Sequence, residues 1–219
     1  MKPERSIGAR SAGALLSALA LACAAGQAAE PVVGGPCEGC EAVFQGLPGK
    51  LETSARIAPQ EEPGEPLVIE GTVSGPDGAP RRGIVVYAYH TDAGGIYPRP
   101  QDAPGAAARR HGRLRGWAVT DEAGRYRFDT IRPAGYPGTS IPQHVHFHVL
   151  EPGRCTYWID SLLFDDDPRL DAEMRGRETH GRGGDGIASP TRDEGGAWHA
   201  RRDIRLGAGI PDYEDCDRR

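Results

Sequence analysis

The stretch "GYPGTSIPQHVHFHVLE", residues 135–151, decides the fold prediction, because its second half alternates between two kinds of side chain. Successive side chains of a β-strand point to opposite faces, so Val145, Phe147 and Val149 share one apolar face. The opposite face carries three histidines: His144, His146 and His148. The run therefore predicts a strand that buries one face and presents imidazoles on the other.

The same kind of short alternating run recurs along the chain. Runs such as "PLVIEGTVS", "GIVVYAYH", "WIDSLLF" and "AWHARRDIRL" are separated by turn residues, and the 219 residues include 31 glycines and 19 prolines. This pattern predicts an all-β protein, a β-sandwich. The two runs that flank "DEAG", residues 121–124, predict a hairpin. Asp167 as N-cap and Pro168 in the first turn predict the start of one short helix.

Composition predicts the organisation of the chain into four segments. Lys2, Arg5 and Arg10 precede "ALLSALALACAAG", which predicts a secretory signal peptide over residues 1–29 and not a membrane span. A lipoprotein anchored through Cys23 is the alternative. Residues 30–65 predict an extended arm, residues 66–208 the sandwich domain, and residues 209–219 a C-terminal tail. The protein is therefore expected to be exported, to the periplasm or the extracellular space.

Cysteine content and charge bear on the compartment and on partners. The segment after the signal holds four cysteines, Cys37, Cys40, Cys155 and Cys216, which predict disulfides in an oxidising compartment. Three pairings are open, and "CEGC" also fits a metal or redox motif. The formal net charge of −5 comes from scattered residues of both signs, so nucleic acid is not an expected partner.

Histidines and tyrosines together predict a metal site. His144 and His146 project in parallel from one strand, which suits chelation of one ion, whereas His148 is expected to play a supporting or structural role. Tyr97 and Tyr136 each lie in a Gly/Pro-rich loop after a strand. Phenols become ligands when a highly charged hard cation displaces their proton, so this set favours Fe(III). The other four histidines are interpreted as ordinary: His90, His111, His180 and His199.

From Leu67 to Leu206 the chain resembles the intradiol ring-cleavage dioxygenases, the catechol and protocatechuate dioxygenase family. The resemblance rests on "GTVSGPDGAPRRGIVVYAYHTDAGGIYP", "TDEAGRYRFDTIRPAGYP", "HVHFHV" and "LLFDDDP", in the family's order. It implies a β-sandwich with long loops covering a non-haem Fe(III) held by Tyr97, Tyr136, His144 and His146. It also implies dioxygen-dependent cleavage of a small aromatic diol to a muconate-type diacid, with Tyr136 as the ligand that leaves the iron and acts as a base.

The chain departs from the family's pattern near the substrate. Ile141 stands where the family has an arginine, three residues before the first histidine of the pair, and Arg99 and Arg132 are the candidates to replace it. Ser161 and Leu163 stand where the family commonly has glutamine and tyrosine. The substrate and the oligomeric state therefore stay open.

Two rival interpretations remain at this point. A non-catalytic sandwich of the transthyretin or carboxypeptidase-regulatory kind accounts for the strands alone. A zinc site made by His144, His146 and His148, with an open fourth position, accounts for the histidines alone.

Overall fold

The computed structural model describes residue 1, residues 31–37 and residues 39–217. The predicted signal peptide over residues 1–29 and the alternative at Cys23 therefore lie outside the described residues, apart from residue 1. Within the described part of the chain, no helix combines the length and the apolar character needed to cross a membrane.

Two mixed β-sheets form a sandwich, as the alternating runs predict. The first sheet contains, in spatial order, β1 (Ser54–Arg56), β5 (Arg125–Ile131), β2 (Pro66–Ser74), β10 (Trp198–Arg201) and β9 (Thr191–Arg192), with β11 (Ile204–Arg205) also pairing with β2. The second sheet contains, in spatial order, β4 (Arg115–Val119), β3 (Val85–Tyr89), β6 (His144–Glu151), β7 (Cys155–Phe164) and β8 (Ile187–Ala188). The predicted sandwich is confirmed.

The core lies between the sheets and is made by the apolar faces that the alternation predicts. From the first sheet, β2 contributes Leu67 and Ile69, each no more than 1% exposed. From the second, β6 contributes Val145, Phe147 and Val149 to the same cluster. Strand β2 is paired on both sides, since β10 runs parallel to it on one side and β5 antiparallel on the other.

The hairpin predicted around "DEAG" is wrong. β4 pairs with β3 in the second sheet, whereas β5 pairs with β2 in the first. Both strands have an inward apolar face, and Ala118 of β4 and Phe128 of β5 enter the core from opposite sheets. The turn is closed by Asp121, whose Oδ1 accepts from the Arg125 amide at 2.8 Å. It therefore links the two layers instead of joining two neighbours in one sheet.

Two short α-helices are present in the described residues, α1 (Ala106–His111) and α2 (Ala172–Glu178). The predicted helix start at Asp167 is wrong, because α2 begins four residues later. Its N-cap is Asp171, whose side chain accepts from the Met174 amide at 2.8 Å. The Asp167 carboxylate is used elsewhere, accepting from the amides of Gln143 at 2.6 Å and Arg169 at 2.9 Å.

The segments before and after the sandwich domain lie against it. Residues 31–65 include a short 3-10 helix, Cys40–Val43, with buried Ala42 and Val43, and they supply β1, which pairs in parallel with β5. Near the other end, a second 3-10 helix, Tyr213–Asp217, carries buried Cys216.

Two disulfides resolve the pairing that the sequence leaves open. Cys37 pairs with Cys40, and Cys155 pairs with Cys216, 61 residues apart in sequence. The chain-entropy model gives about 4 kcal/mol of stabilisation for the long loop and about 2 kcal/mol for the short one. The long-range disulfide therefore ties the C-terminal segment to β7, whereas the short one constrains only its own turn.

Replacing Cys155 and Cys216 together by alanine should lower the free energy of unfolding by about 2–5 kcal/mol, because the loop-closure constraint and two buried side chains are lost. The matched control is the Cys37→Ala, Cys40→Ala pair, which should cost about 2 kcal/mol or less. Urea unfolding of both variants measures the difference. Equal losses would contradict this assignment of roles.

Candidate metal centre

Strand β6 lies in the middle of the second sheet and turns its imidazole face away from the core. Tyr89 of β3 is the cross-strand partner of His146, and Tyr87 is the partner of His148. The register between β6 and β7 shifts between Val145 and Phe147, so that two residues of β7, Asp160 and Ser161, lie opposite His146 in a bulge. Bulges re-aim side chains next to active sites, and this one lies at a predicted ligand.

The two predicted tyrosine ligands are brought together by a contact between their loops. The Asp92 side chain accepts from the Gly94 and Ile96 amides at 2.9 and 3.0 Å, which closes the turn before Tyr97. Gly95 has φ +79°, and a Cβ there would lie 2.4 Å from the Gly135 carbonyl oxygen. Only glycine fits this approach, so the loops can touch.

Hydrogen bonds hold the same two loops in register. The Thr91 hydroxyl donates to the Ala134 carbonyl at 2.7 Å, and the Ala134 amide donates to the Asp92 carbonyl at 3.1 Å. The loop after β3 and the loop after β5 therefore form one unit, although they leave different sheets.

The four predicted ligands converge. The Tyr97 and Tyr136 hydroxyls lie 2.7 Å apart, and the Tyr136 hydroxyl lies 3.2 Å from His144 Nε2. His144 Nε2 lies 3.1 Å from His146 Nε2. One chain of short contacts thus joins four donor atoms from β6 and two loops. This is the arrangement that a single metal ion requires.

The orientation of each imidazole is set by a hydrogen bond at its other nitrogen. His144 Nδ1 donates to the Pro142 carbonyl at 2.8 Å, so in the neutral ring Nε2 carries the lone pair. His146 Nδ1 lies 3.1 Å from the Ser161 hydroxyl, which accepts a hydrogen bond from it when Nδ1 carries the proton. Burial lowers the pKa of both His144 and His146, which keeps both rings neutral at neutral pH.

The chemistry of this donor set fits a highly charged cation. With both Nδ1 atoms protonated, the two Nε2 lone pairs face each other at 3.1 Å, an arrangement that a positive charge between them stabilises. Burial, followed by the hydrogen bond to Tyr136, raises the pKa of Tyr97 well above its ordinary value of 10.0. A weakly charged ion would leave that phenol protonated, whereas Fe(III) can displace its proton.

His148 does not join the other two histidines. Among the described residues, one trio of His, Cys, Asp or Glu side chains has its ligand atoms within 4.8 Å of one another, and it is Cys37, Cys40 and His148. The geometry therefore does not support the rival zinc site of His144, His146 and His148. His148 packs edge-on against Tyr87 and Tyr89, with ring centroids 5.7 and 5.9 Å away.

A cavity of about 220 Å³ opens onto the converging donors. Its lining consists of three tyrosines, two histidines and one arginine: Tyr89, Tyr97, Tyr136, His111, His146 and Arg110. The sequence interpretation missed Tyr89, Arg110 and His111. Tyr89 lies between two imidazoles, stacked on His111 at 3.6 Å and on His146 at 4.6 Å between ring centroids. The stack forms one wall of the cavity.

The sequence gives only a weak signal for Arg110 and His111 as site residues. They end α1, in a polar, alanine-rich interruption between strands. They reach the site because the Arg113 amide donates to the Pro98 carbonyl at 2.8 Å, which docks this segment beside Tyr97. A weak signal was the clustering of three basic residues, Arg109, Arg110 and His111, at one helix end.

The arginine candidates named from the sequence are not at the cavity. Arg132 is committed elsewhere: its Nε donates to Gln143 at 2.8 Å, and its guanidinium pairs with Asp166. Arg99 is exposed and does not line the cavity, and neither does Ile141. Arg110 is the arginine of the described residues that does line it.

Comparisons with known proteins agree with this fold. A family model described as "Dioxygenase" matches residues 44–177, more than half of the chain. Catechol 1,2-dioxygenase 1 of Acinetobacter lwoffii is 45% identical over 109 residues, which cover 42% of this chain and 34% of that protein. The protocatechuate 3,4-dioxygenase beta chain of Burkholderia cepacia is 31% identical over 112 residues, which cover 49% and 48%.

A solved structure is similar over most of its own length. The dioxygenase domain of a dioxygenase carbohydrate-binding fusion from Streptomyces sp. SirexAA-E matches with a TM-score of 0.52 at 25% identity, covering 74% of this chain and 96% of that chain. The chain belongs to the intradiol ring-cleavage dioxygenase family, whose members use non-haem Fe(III). It spans about a third to a half of the length of the curated relatives named above.

Ser161→Ala should lower the affinity for Fe(III) about tenfold, because His146 Nδ1 loses its partner and the ring its fixed orientation. Competition with a chelator measures the affinity. The control is Ser189→Ala, an exposed serine whose hydroxyl donates to Asp165 away from the site. An affinity equal to that of the wild type would show that Ser161 does not orient a ligand.

Proposed function

We propose that the protein cleaves a catechol-type ring between its two hydroxylated carbons with dioxygen, and that the product is a muconate-type diacid. The observation that carries the proposal is the convergence of the Tyr97, Tyr136, His144 and His146 donor atoms, linked by contacts of 2.7, 3.2 and 3.1 Å. These four residues would hold Fe(III). Family membership supports the choice of metal and reaction class.

The ferric ion, when bound, supplies Lewis acidity and the electronic activation that lets a bound catecholate react with dioxygen without an external reductant. The residues supply position and proton transfer. The two imidazoles are held neutral by burial and aimed by Pro142 and Ser161, so they hold the ion without moving. Tyr97 holds it from the loop after β3.

Tyr136 is proposed as the base. Two phenolates and two neutral imidazoles leave Fe(III) with one net positive charge, and a catechol that loses both protons brings two negative charges. One of these protons goes to the Tyr136 oxygen and the other leaves to the solvent, so the site would be neutral, which is favoured in a cavity of low dielectric. The Tyr136 oxygen also lies 2.7 Å from the Tyr97 oxygen, so the protonated phenol keeps a hydrogen-bond partner.

The cavity suits a single aromatic ring. Its volume is about 220 Å³, and cavities of about 150 Å³ are known to take benzene. The aromatic wall of Tyr89 and His111 gives such a ring a surface to lie against. We therefore propose a one-ring catechol as the substrate class, with room for a small substituent.

Arg110 is proposed to take the electrostatic role that the family's arginine plays. It lies at the cavity, and its guanidinium makes no ion pair or side-chain hydrogen bond with the described residues. A cation there stabilises the negative charge of a bound catecholate and of an anionic ring substituent. The positive charge thus comes from the end of α1 instead of the loop just before His144.

The non-catalytic sandwich is the weaker candidate. It accounts for the two sheets, but it leaves four buried or half-buried donor atoms converging on a cavity without a role.

The first experiment is the visible spectrum of the ferric-loaded wild type and of Tyr136→Phe. Phenolate bound to Fe(III) gives an intense charge-transfer band, which should shift when catechol is added. Tyr136→Phe should lose part of that colour, because Tyr97 remains as the one phenolate, and should lower ring cleavage at least a hundredfold, since it removes both a proposed ligand and the proposed base. Absorbance of the muconate-type product measures the cleavage.

Tyr213→Phe is the matched control, because Tyr213 lies in the C-terminal 3-10 helix and should leave colour and cleavage unchanged. A colourless wild type that retains no iron would overturn the proposed function. An unchanged spectrum in Tyr136→Phe would overturn the assignment of that ligand.

Arg110→Gln should raise KM about tenfold for a catechol that carries a carboxylate on the ring, the equivalent of one charge-assisted hydrogen bond. Unsubstituted catechol should be affected less. Arg109→Gln is the control, since Arg109 is an exposed neighbour on the same helix that does not line the cavity. Equal effects of the two substitutions would show that Arg110 acts only through overall charge.

Export is proposed on the sequence alone. The basic start, the apolar run and the small residues before Glu30 support it, and disulfides persist in oxidising compartments. Sequencing the N-terminus of the protein from its native cells should find a start near Ala29 or Glu30. A chain that keeps residues 1–28 would contradict the proposal.

A further inference from the structure

The "CEGC" motif has no part in the proposed ring cleavage, yet it lies against the imidazole face of β6. The sulfurs of Cys37 and Cys40 and a ring nitrogen of His148 all lie within 4.8 Å of one another. Cys40 is buried, and a Cβ on neighbouring Gly39 would lie 2.4 Å from His111 Nε2. Gly39 therefore packs against His111, at one end of the stack of His111, Tyr89 and His146.

His148 is the least satisfied imidazole of this face. It is 3% exposed, and its Nδ1 is buried without a hydrogen-bond partner among the described residues. Buried polar atoms in native proteins nearly always have a partner, so an orphaned one calls for an explanation. A metal ion would satisfy a ring nitrogen here.

Stabilisation of the fold by the Cys37–Cys40 disulfide is a weak explanation for the presence of this pair of cysteines. Their disulfide spans a sequence separation of three, and stabilisation by a disulfide grows with the length of the loop that it closes. The C-x-x-C spacing is also the spacing by which two thiolates chelate one metal ion. With His148 it makes a soft, three-ligand set.

We propose that Cys37, Cys40 and His148 form a second metal site when the disulfide is reduced, and that this site takes a thiophilic cation such as Zn(II) or Cu(I). Thiolate and imidazole ligands select these ions over hard cations. The set holds none of the four proposed Fe(III) ligands, so the second site does not depend on the proposed function. Three protein ligands leave a fourth position open.

The open side of the site faces a second cavity, of about 360 Å³, which Cys37 and His148 both line. Asp160 and Glu178 line the same cavity and favour the entrance of a cation. Tyr89 and His146 belong to the linings of both cavities. The second site therefore lies next to the candidate Fe(III) site, with Tyr89 and His146 between the two cavities.

Reduction opens the site and oxidation closes it. An external dithiol transfers two electrons and two protons to the Cys37–Cys40 disulfide and is itself oxidised to a disulfide. The cation then displaces the two thiol protons and binds the thiolates. In an oxidising compartment the disulfide is the resting form, so the site is redox-gated.

The experiment adds Cd(II) to the iron-loaded protein before and after reduction by a water-soluble phosphine, which becomes a phosphine oxide with oxygen from water. Thiolates bound to Cd(II) give an ultraviolet charge-transfer band that phenols and imidazoles do not give. The reduced wild type should show a saturable band at one equivalent, and the oxidised protein none. Cys37→Ser and Cys40→Ser should each remove it, and His148→Gln should weaken Cd(II) binding about tenfold or more.

Two measurements keep the outcomes distinct. Tyr136→Phe should weaken the ferric band and keep the Cd(II) band, so failure of either site is seen separately. X-ray absorption of the Zn(II)-loaded wild type should show two sulfurs at about 2.3 Å and nitrogen at about 2.0 Å, whether or not the His148 variant folds. No saturable band, or sulfur ligation without nitrogen, or full affinity in His148→Gln, would overturn the proposal.

Discussion

The burial of Val145, Phe147 and Val149 between the two sheets determines where the imidazoles of the same strand lie. Each of these side chains is no more than 1% exposed, and removing one would leave a cavity in a close-packed core. A shift of one residue in the register of β6 would put histidines into that core. Packing energy therefore holds His144 and His146 on the opposite face, and the site follows from it.

The positions of Tyr97 and Tyr136 depend on a backbone contact between two loops and not on packing in the core. The loops that carry Tyr97 and Tyr136 leave different sheets and meet where Gly95 approaches Gly135. Side chains are absent at this contact because there is no space for them. The two phenols can then lie 2.7 Å apart without any strand holding them. The candidate site thus combines two proposed ligands from a central strand with two proposed ligands whose position depends on the fit between loops.

The sequence was sufficient where one local pattern decided the structure. The alternation in "HVHFHVL" and "PLVIEGTVS" predicted the strands and their buried faces, because a period of two has only one interpretation in a sandwich. The convergence of the four proposed ligands could be anticipated through the resemblance to the intradiol family, and the structure does bring them together. The partner of each strand was not predictable in the same way. The runs flanking "DEAG" have strand character, but whether they share a sheet depends on the core that both face.

Features that depend on contacts between distant parts of the chain could not be predicted from the sequence. Arg110 reaches the cavity because residues 98 and 113 are hydrogen-bonded, and nothing in "AAARRHG" records that contact. His148 continues the alternation of His144 and His146, so the pattern gave no sign that it would face the cysteines instead. Helix α2 begins later than predicted because the Asp167 carboxylate does not cap it. That carboxylate accepts from the amide of Gln143, a residue from another part of the chain.

The parallel pairing of β2 with β10 has a consequence for how the chain folds. Leu67 pairs with Trp198, 131 residues later in the chain, so a central strand of the first sheet lacks one neighbour until that later strand has been made. Until then β2 has β5 on one side and an open, apolar edge on the other. Pairings between such distant segments slow folding and leave edges exposed to other chains meanwhile. Truncation near residue 198 would therefore damage the middle of the sheet and not merely shorten its margin.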